Sequence, residues 1–347
     1  MLHVLSLIAC AVAFASTSLA QENPISSQVP EPTTTIQSTA RLVLVPALIQ
    51  SATKETVYTL HADDFLLTDK GVPQKLTLDE ETQQPLSLVV LMQTGGASVR
   101  EFDKYRGLET ILAAMLGGAP NQVSIVNFDS RPEAASPFTS DIAQWTDAIN
   151  HPDPGDSGAA IMDSLKFALN LLAQQPANHR RIILLLSQPQ DSGSKTTAKE
   201  ITRITGQTNT TIYSLVFSPQ LTRLKDAWKE PGGDTKPITL PNGTYSAYFH
   251  LSEPLHMVID AMKKDIATEV ATLSGGEIAK FENQGQLENQ LMTIDNHIRN
   301  RYILSFTPTS SEAGFHPIQV RVPRYPSLSV SARTGYWLNG PTDSLDK

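Results

Sequence analysis

The chain has 347 residues, of which 40% are hydrophobic and 18% are charged, and its formal net charge is -8 at pH 7. This composition is ordinary for a globular protein and allows one large domain together with a smaller one. Basic residues form no cluster beyond pairs such as Arg180-Arg181. Because a nucleic-acid site needs a stripe of basic side chains to neutralise phosphates, we expect no nucleic-acid partner.

Residues 1–20 have the pattern of a secretory signal peptide. An apolar run at 2–15 precedes the small-residue segment Ser18-Leu19-Ala20, which is typical of a cleavage site. The run is shorter than the roughly 20 residues that span a bilayer, so we expect an exported chain, periplasmic or extracellular, with no membrane span once mature. The only cysteine, Cys10, lies in this run, so the mature chain is expected to have no disulfide. Leu7-Ile8-Ala9-Cys10 also resembles a lipoprotein processing box, which leaves lipid anchoring at Cys10 as an alternative.

Two regions of short β-type runs flank the middle of the chain. Segment 21–40 is rich in Pro, Ser, Thr and Gln and is predicted to be a flexible linker. Segments 41–84 and 301–338 carry β patterning, and 339–347 is a tail. Neither segment could bury a core alone, so we predict that the two pair into one small β subdomain. The β runs of the first segment are 42–46, 58–60, 65–68 and 75–78.

Between these segments, residues 85–300 alternate apolar strands with helices. Such alternation predicts an α/β domain with a doubly wound, mostly parallel sheet and helices on both faces. Residues 218–255 have no sustained periodicity and are predicted to be an insertion. The predicted strands are 86–92, 122–128, 181–187 and 211–217, and the predicted helices are 99–116, 161–173, 196–205, 257–273 and 287–298.

The first strand of this domain ends in a loop of small and neutral residues, Gln93-Thr94-Gly95-Gly96-Ala97-Ser98. Ligands of α/β folds bind at the carboxyl ends of parallel strands, so the position of this loop indicates function. The loop nevertheless contains no acidic residue. A metal site of the usual oxygen-rich kind is therefore not expected there.

Six short motifs, in this order, resemble the von Willebrand factor type A domain, specifically the VWFA-related family of secreted bacterial proteins. The resemblance covers roughly residues 40–338 and implies a domain that binds proteins without catalysis. The motifs are DFLLTDKG at 64–71, QTGGA at 93–97, GAAIMDSL at 158–165, IILLLSQ at 182–188, RYILSFTP at 301–308 and VSARTGYW at 330–337.

The resemblance also implies where a metal would bind. In that family the first loop reads Asp-x-Ser-x-Ser, a Thr begins a later helix and an Asp follows the fourth strand, and together they hold one Mg²⁺ or Mn²⁺. None of these residues is kept here, so the site is predicted to be degenerate and no metal or other cofactor is expected. The acids Asp156, Asp163 and Asp191 lie close enough in sequence to leave a rebuilt cation site as an alternative. The five replaced positions are Gln93, Gly95, Ala97, Ala159 and Gln188.

Gly155-Asp156-Ser157-Gly158 resembles the nucleophile motif of chymotrypsin-like proteases. A nucleophilic serine needs an adjacent histidine, for which His61 is the upstream candidate. A hydrolase using Ser157 therefore remains an alternative function. The other histidines lack metal-ligand spacing and are expected on the surface or at helix caps; they are His151, His179, His250, His256, His297 and His316.

The leading prediction is an exported, non-enzymatic binding or scaffold protein of the cell envelope, whose type A domain binds a protein partner without a metal. A structural envelope protein with no specific ligand is the further alternative. The sequence identifies neither the partner nor the oligomeric state. The candidate partner contacts are Thr94, Ser98, Asp156, Asp191 and Trp228. Trp228 lies in the insertion, as does the aromatic stretch 245–249.

Overall fold

A computed structural model describes residues 42–79, 84–117, 119–217 and 254–339. The predicted signal peptide, Cys10, the linker, nearly all of the tail and most of the insertion, including Trp228, lie outside the described residues. Predictions about these segments therefore stay predictions. Within the part of the chain that is described, no helix combines the length and hydrophobicity that crossing a membrane requires.

Fourteen strands and seven α-helices make up the described chain. Two 3₁₀ helices, Ala62–Asp64 and Gly96–Tyr105, accompany them. The helices are α1 Leu108–Leu116, α2 Ile142–Asn150, α3 Ile161–Ala173, α4 Ala198–Gln207, α5 Pro254–Lys264, α6 Ile266–Ser274 and α7 Gln284–Arg299. The strands are β1 Val43–Gln50, β2 Leu66–Asp69, β3 Val72–Pro73, β4 Leu76–Asp79, β5 Leu86–Gln93, β6 Gln122–Phe128, β7 Pro132–Ala134, β8 Arg180–Ser187, β9 Thr210–Val216, β10 Ile278–Lys280, β11 Tyr302–Phe306, β12 Gly314–Arg321, β13 Ser329–Ala332 and β14 Gly335–Leu338.

The central sheet has the order β10-β9-β8-β5-β6-β7, and every neighbouring pair is parallel except the edge pair β6 and β7. Strand β5 is apolar on both faces because helices cover both of them. Leu88 and Val90 pack in the core beneath α1, α2 and α7, whereas Val89 and Leu91 pack in the core beneath α3, α4 and α6. The predicted α/β class, with a mostly parallel sheet between helical layers, is confirmed.

Strands from the two ends of the described chain pair with each other. Strand β1 pairs with both β11 and β13, and β2 pairs with β12, all antiparallel. Two four-stranded sheets result, with the orders β13-β1-β11-β4 and β14-β12-β2-β3. They share a core that includes Val45, Leu67, Leu304, Phe306 and Tyr336. This is the small β subdomain that the patterning predicts.

Several elements differ from the prediction. The helix predicted over 99–116 is a 3₁₀ helix followed by α1, because Gly107 adopts a φ of 85° between them. The helix predicted over 257–273 is divided at Asp265, which caps α6 through a hydrogen bond from the Thr268 amide (3.0 Å). Residues 58–60 do not form the predicted strand. Helix α2 was not predicted. His297, which pairs with Glu277, and His316 are buried rather than at the surface or in a cap.

Candidate functional site

The candidate site lies at the carboxyl edge of the central sheet, above β5, β6 and β8. Three loops meet there: the first loop (93–98) follows β5, the second loop (155–160) leads into α3, and the third loop (188–197) joins β8 to α4. Parallel pairing of β5 with β6 and β8 brings the ends of these strands together. The five replaced ligand positions all lie on these three loops.

Two glutamine amides occupy the positions at which the family has metal-binding carboxylates. The Gln93 amide nitrogen donates to the Gln188 side-chain oxygen (3.3 Å) and to the Gly95 carbonyl (3.0 Å). The Gln93 oxygen accepts from the Gln188 backbone amide (2.9 Å), and Gln93 is fully buried. A neutral amide pair thus links the ends of β5 and β8, a connection that needs no cation to balance charge.

The backbone of the second loop fills the space over Gly95. A Cβ added to Gly95 would lie 2.7 Å from the Asp129 Cβ and 2.8 Å from the Asp156 carbonyl, and closer still to the Gly158 carbonyl. Hydrogen bonds hold the two loops in place: the Gly96 amide donates to the Asp156 carbonyl (2.7 Å) and the Gly155 amide to the Thr94 carbonyl (3.0 Å). The serine that the family carries at the Gly95 position has no room in this arrangement.

We expect Gly95→Ser to destabilise the protein by about 1–3 kcal/mol, because the side chain would push the second loop off the first. Gly285→Ser is the matched control, since a Cβ at Gly285 meets only the Asn283 side-chain oxygen, at 3.7 Å. Urea unfolding of both variants measures the difference. Equal stability of the two variants would show that the loops are not packed against each other in solution.

The position of the family's threonine, Ala159, is joined to the third loop through the backbone. The Ala159 amide donates to the Ser192 carbonyl (3.1 Å), and the Ser192 amide donates to the Ala159 carbonyl (2.8 Å). The next amide, that of Ala160, donates to the Asp129 carbonyl (2.7 Å). Ala159, one of the two residues of this bridge, is buried. Backbone contacts therefore make the connection between loops that a shared cation makes in the family that the sequence resembles.

The carboxylates of Asp163 and Asp191 accept hydrogen bonds that connect the start of α3 to the third loop. Asp191 accepts from the Met162 amide (2.9 Å) and from the Ser194 hydroxyl (2.6 Å). Asp163 accepts from the amides of Thr196 (2.7 Å) and Lys195 (3.0 Å). Burial disfavours the charged form of Asp163, but these hydrogen bonds outweigh it and keep its pKa below the ordinary value. Both acids therefore have a structural explanation.

Asp156 forms part of a second, more exposed network. Its carboxylate accepts from the Ser130 hydroxyl and from the amides of Ser130 (3.1 Å) and Gly158 (2.7 Å). The Ser130 hydroxyl is the main reason that the pKa of Asp156 lies below its ordinary value. Asp129 accepts from the amides of Arg131 and Asp156, each at 3.1 Å. No group of three acidic, histidine or cysteine side chains within the described ranges is arranged to hold a metal ion.

Asp129 is a site residue that the sequence interpretation missed. It directly follows the apolar strand β6, which is the neighbour of β5 at the same sheet edge. The rule that placed the first loop at a ligand-binding edge applies equally to this acid. Its position after a predicted central strand was the signal available in the sequence.

Ser157 is exposed, and no hydrogen bond found among the described residues joins it to a histidine. The candidate base His61 stands before the 3₁₀ helix Ala62–Asp64, in the β subdomain. The structure thus does not bring together the nucleophile and base that a serine hydrolase requires.

The candidate partner contacts differ in their exposure. Thr94 and Ser98 are buried, and their hydroxyls donate to the carbonyls of Phe128 (3.2 Å) and Gly95 (2.7 Å). Asp191 is partly buried, whereas Asp156 is exposed. The exposed rim of the three loops also includes Ser157, Gln190 and Ser192, and the exposed Ser130 of the β6–β7 turn is bonded to Asp156 beside it.

A comparison with protein-family models matches residues 88–191 to the von Willebrand factor type A domain. The match spans β5 to the third loop and so contains all five replaced positions. This chain contains a von Willebrand factor type A domain. Domains of this family are generally non-catalytic modules of protein–protein interaction, and an interaction role fits this one. No curated protein sequence matches this chain significantly.

Solved structures of low sequence identity are similar to the chain. Conserved hypothetical protein BatB from Bacteroides thetaiotaomicron is 12% identical, with 61% of this chain and 98% of that chain covered and a TM-score of 0.42. An aerotolerance-related membrane protein from Bacteroides fragilis is 13% identical, with coverages of 61% and 98% and a TM-score of 0.39. Proximal thread matrix protein 1 from the mussel byssus, with a zinc-occupied MIDAS motif, is 11% identical, with coverages of 66% and 49% and a TM-score of 0.44.

Proposed function

We propose that this chain is an exported, non-enzymatic binding or scaffold protein of the cell envelope, and that its type A domain binds a protein partner without a bridging metal ion. The signal-peptide pattern of residues 1–20 supports export. The type A domain supports the interaction role. Contact with the partner is assigned to the exposed rim of the three loops at the carboxyl edge of the sheet.

Binding without a metal ion is supported by the packing of the second loop over Gly95, which leaves no space there. A hard divalent cation needs several oxygen ligands and anionic charge at one point. Here the Gly158 and Asp156 carbonyls pack onto Gly95, and the amides of Gln93 and Gln188 bond to each other. The acids nearest to this point accept hydrogen bonds from backbone amides instead. Backbone hydrogen bonds therefore fix the shape of the rim, so that it can contact a partner without a bridging ion.

The proposal predicts that partner capture survives chelation. Tagged mature protein is cross-linked in envelope extract from its source organism, in EDTA or in Mg²⁺, and the captured proteins are compared. We expect the same partner in both buffers. Because a large charged side chain on the rim would disrupt a fitted contact, Ser157→Arg and Ser192→Arg should each reduce the yield at least about fivefold, which corresponds to about 1 kcal/mol. Ser311→Arg, an exposed serine of the β subdomain, is the control and should leave the yield unchanged.

Capture that EDTA abolishes would overturn metal independence. So would submillimolar calorimetric binding of Mg²⁺, Mn²⁺ or Ca²⁺ that is lost in Asp156→Ala or Asp191→Ala. Equal yields from wild type and both rim variants would remove the rim as the contact surface. Capture of no protein by wild type would leave the structural envelope protein as the better description.

A further inference from the structure

A polar cavity lies beside the three loops, between the upper ends of β6 and β7 and one face of α2. Its volume is about 510 Å³, and its wall includes residues of β6, β7, α2 and the segment 153–155. This volume lies within the range of about 300–1,000 Å³ that is usual for pockets that bind small molecules or side chains. The cavity shares Thr94, Asp129 and Gly155 with the loop cluster, so a partner seated on the rim would reach it.

The wall of this cavity carries an excess of negative charge. Four carboxylates contribute to it, and the cationic groups are those of Arg131 and, when protonated, His151. The His151 ring nitrogen already lies 3.0 Å from an Asp147 oxygen. The carboxylates come from two stretches of chain, 129–133 and 147–153, and are those of Asp129, Glu133, Asp147 and Asp153.

A buried acceptor, the side-chain oxygen of Asn127, lies in the wall of this cavity. This oxygen is shut off from solvent and has no hydrogen-bond donor among the described residues. Asn127 alternates along β6 with Val126 and Phe128, so its side chain projects on the α2 side of the sheet with Val123 and Ile125. A buried acceptor without a donor costs about 1–3 kcal/mol. A ligand N–H group would remove this cost once the Asn127 side chain turns its oxygen from this solvent-excluded position into the cavity.

We propose that the cavity binds one basic side chain of the protein partner, and that arginine fits it better than lysine. The wall offers acceptors at several separated points, which suits the five N–H donors of a guanidinium group better than the single point charge of an ammonium group. A metal ion fits it less well, since no three acidic, histidine or cysteine side chains within the described ranges are arranged to hold one. The assignment to the partner rests on the proposed function, whereas recognition of the cation stands on the cavity alone.

The probe is the peptide acetyl-Gly-Arg-Gly-amide, titrated into the full mature protein and followed by NMR. The control peptide carries citrulline, which has the shape of arginine but no charge. We expect saturable, millimolar binding of the arginine peptide that shifts the Asn127 side-chain amide signal and weakens with salt, because exposed charges are screened. The citrulline peptide should bind at least about tenfold more weakly, which corresponds to about 1.4 kcal/mol.

A variant that lacks two carboxylates of the cavity wall tests whether the peptide binds there. Glu133 and Asp153 are exposed, and neither appears in the hydrogen-bond network of the loops, so Glu133→Gln with Asp153→Asn removes charge without removing those loop contacts. This double variant should bind the arginine peptide about tenfold more weakly, by the same conversion. The control is Asp63→Asn, the same change at an exposed acid of the β subdomain, and it should bind as wild type does.

Three outcomes would overturn the inference. The two peptides could bind equally well, or the double variant could bind the arginine peptide as wild type does. The third is binding that does not saturate up to about 20 mM peptide, which corresponds to an affinity weaker than about −2.3 kcal/mol. These outcomes differ from failure of the proposed function. If the arginine peptide binds as expected but wild type captures no protein, the cavity stands and the partner role fails. If a partner is captured and the double variant captures it equally well, the partner role stands and the cavity is not used.

Discussion

Replacing Arg333 by alanine should lower the free energy of unfolding by about 3–5 kcal/mol, because several buried carbonyls would lose their donor at about 1–3 kcal/mol each. Arg333 lies between β13 and β14 and is 2% exposed. Its guanidinium donates to the carbonyls of Gly335 (2.8 Å), Gly206 (2.9 Å) and Thr205 (3.2 Å). It also reaches the Leu44 carbonyl in β1, at 3.3 Å.

The size of this effect follows from what the guanidinium connects. Thr205 and Gly206 are in the last turn of α4, where unpaired carbonyls and the helix dipole favour a cation. Leu44 and Gly335 are in the β subdomain. Alanine would leave buried carbonyls of both parts without a donor and would open a cavity between them. One side chain thus couples the β subdomain to helix α4, which packs on the central sheet.

Urea unfolding of Arg333→Ala is compared with that of Arg106→Ala. Arg106 has a side chain that is 74% exposed and pairs with Asp103, which is 85% exposed. Exposed ion pairs of this kind contribute little to folding stability, so Arg106→Ala should change the free energy of unfolding by less than about 0.5 kcal/mol. Arg333→Lys should recover only part of the loss, because an ammonium group cannot reach all of these carbonyls. A loss below about 1 kcal/mol in Arg333→Ala would show that the two parts do not depend on this contact.

The parts of the fold that could be predicted from the sequence are those with continuous apolar patterning. Strand β5 is a single apolar run, and α3 was predicted with its observed bounds because its apolar residues form one stripe. Helix α2 was missed because it buries only Trp145 and Ile149 and is nine residues long. Its Asp141 cap, which accepts from the Ala143 amide, was the available signal.

The candidate site was predictable in residue type but not in shape. The neutral side chains of Gln93 and Gln188 can be read directly from the motifs. Closure over Gly95 cannot, because it depends on the carbonyls of Asp156 and Gly158, more than 60 residues further along the chain. The buried His316 was missed for the same reason. Its partner Asp69 is 247 residues away in sequence, and no local pattern connects the two.

Replacing Asp69 by asparagine should cost about 3–5 kcal/mol near pH 6, because it removes one partner of a buried ion pair. The His316 Nδ1 lies 3.0 Å from one Asp69 oxygen, and its Nε2 lies 2.8 Å from the Glu312 carbonyl. Both ring nitrogens face acceptors, so the ring is a charged imidazolium that donates from each. Tyr336 donates to the other Asp69 oxygen (2.7 Å). These contacts join β2, β12 and β14, so Asp69→Asn weakens the sheet that they form.

The same geometry makes the stability of the wild-type protein depend on pH. Burial disfavours the charged ring and Lys70 opposes it weakly, but the hydrogen bonds to Asp69 and Glu312 outweigh both and raise the pKa of His316. A group whose pKa is raised in the folded state stabilises that state fully below its unfolded pKa, which is about 6.5 for histidine. This stabilisation is lost as the pH rises through the raised folded value. The free energy of unfolding should therefore fall with rising pH above about 6.5.

Urea unfolding between about pH 6 and pH 9, where an ordinary histidine loses its charge, tests this dependence in His316→Gln and in the control His256→Gln. His256 is an exposed residue of α5. The downward slope should disappear in His316→Gln, because glutamine has no proton to lose in this range, and should persist in His256→Gln. A slope that His316→Gln leaves intact would mean that another group carries it. A slope of the opposite sign in wild type would mean that the ring is neutral in the folded protein, which the two acceptors facing its nitrogens argue against.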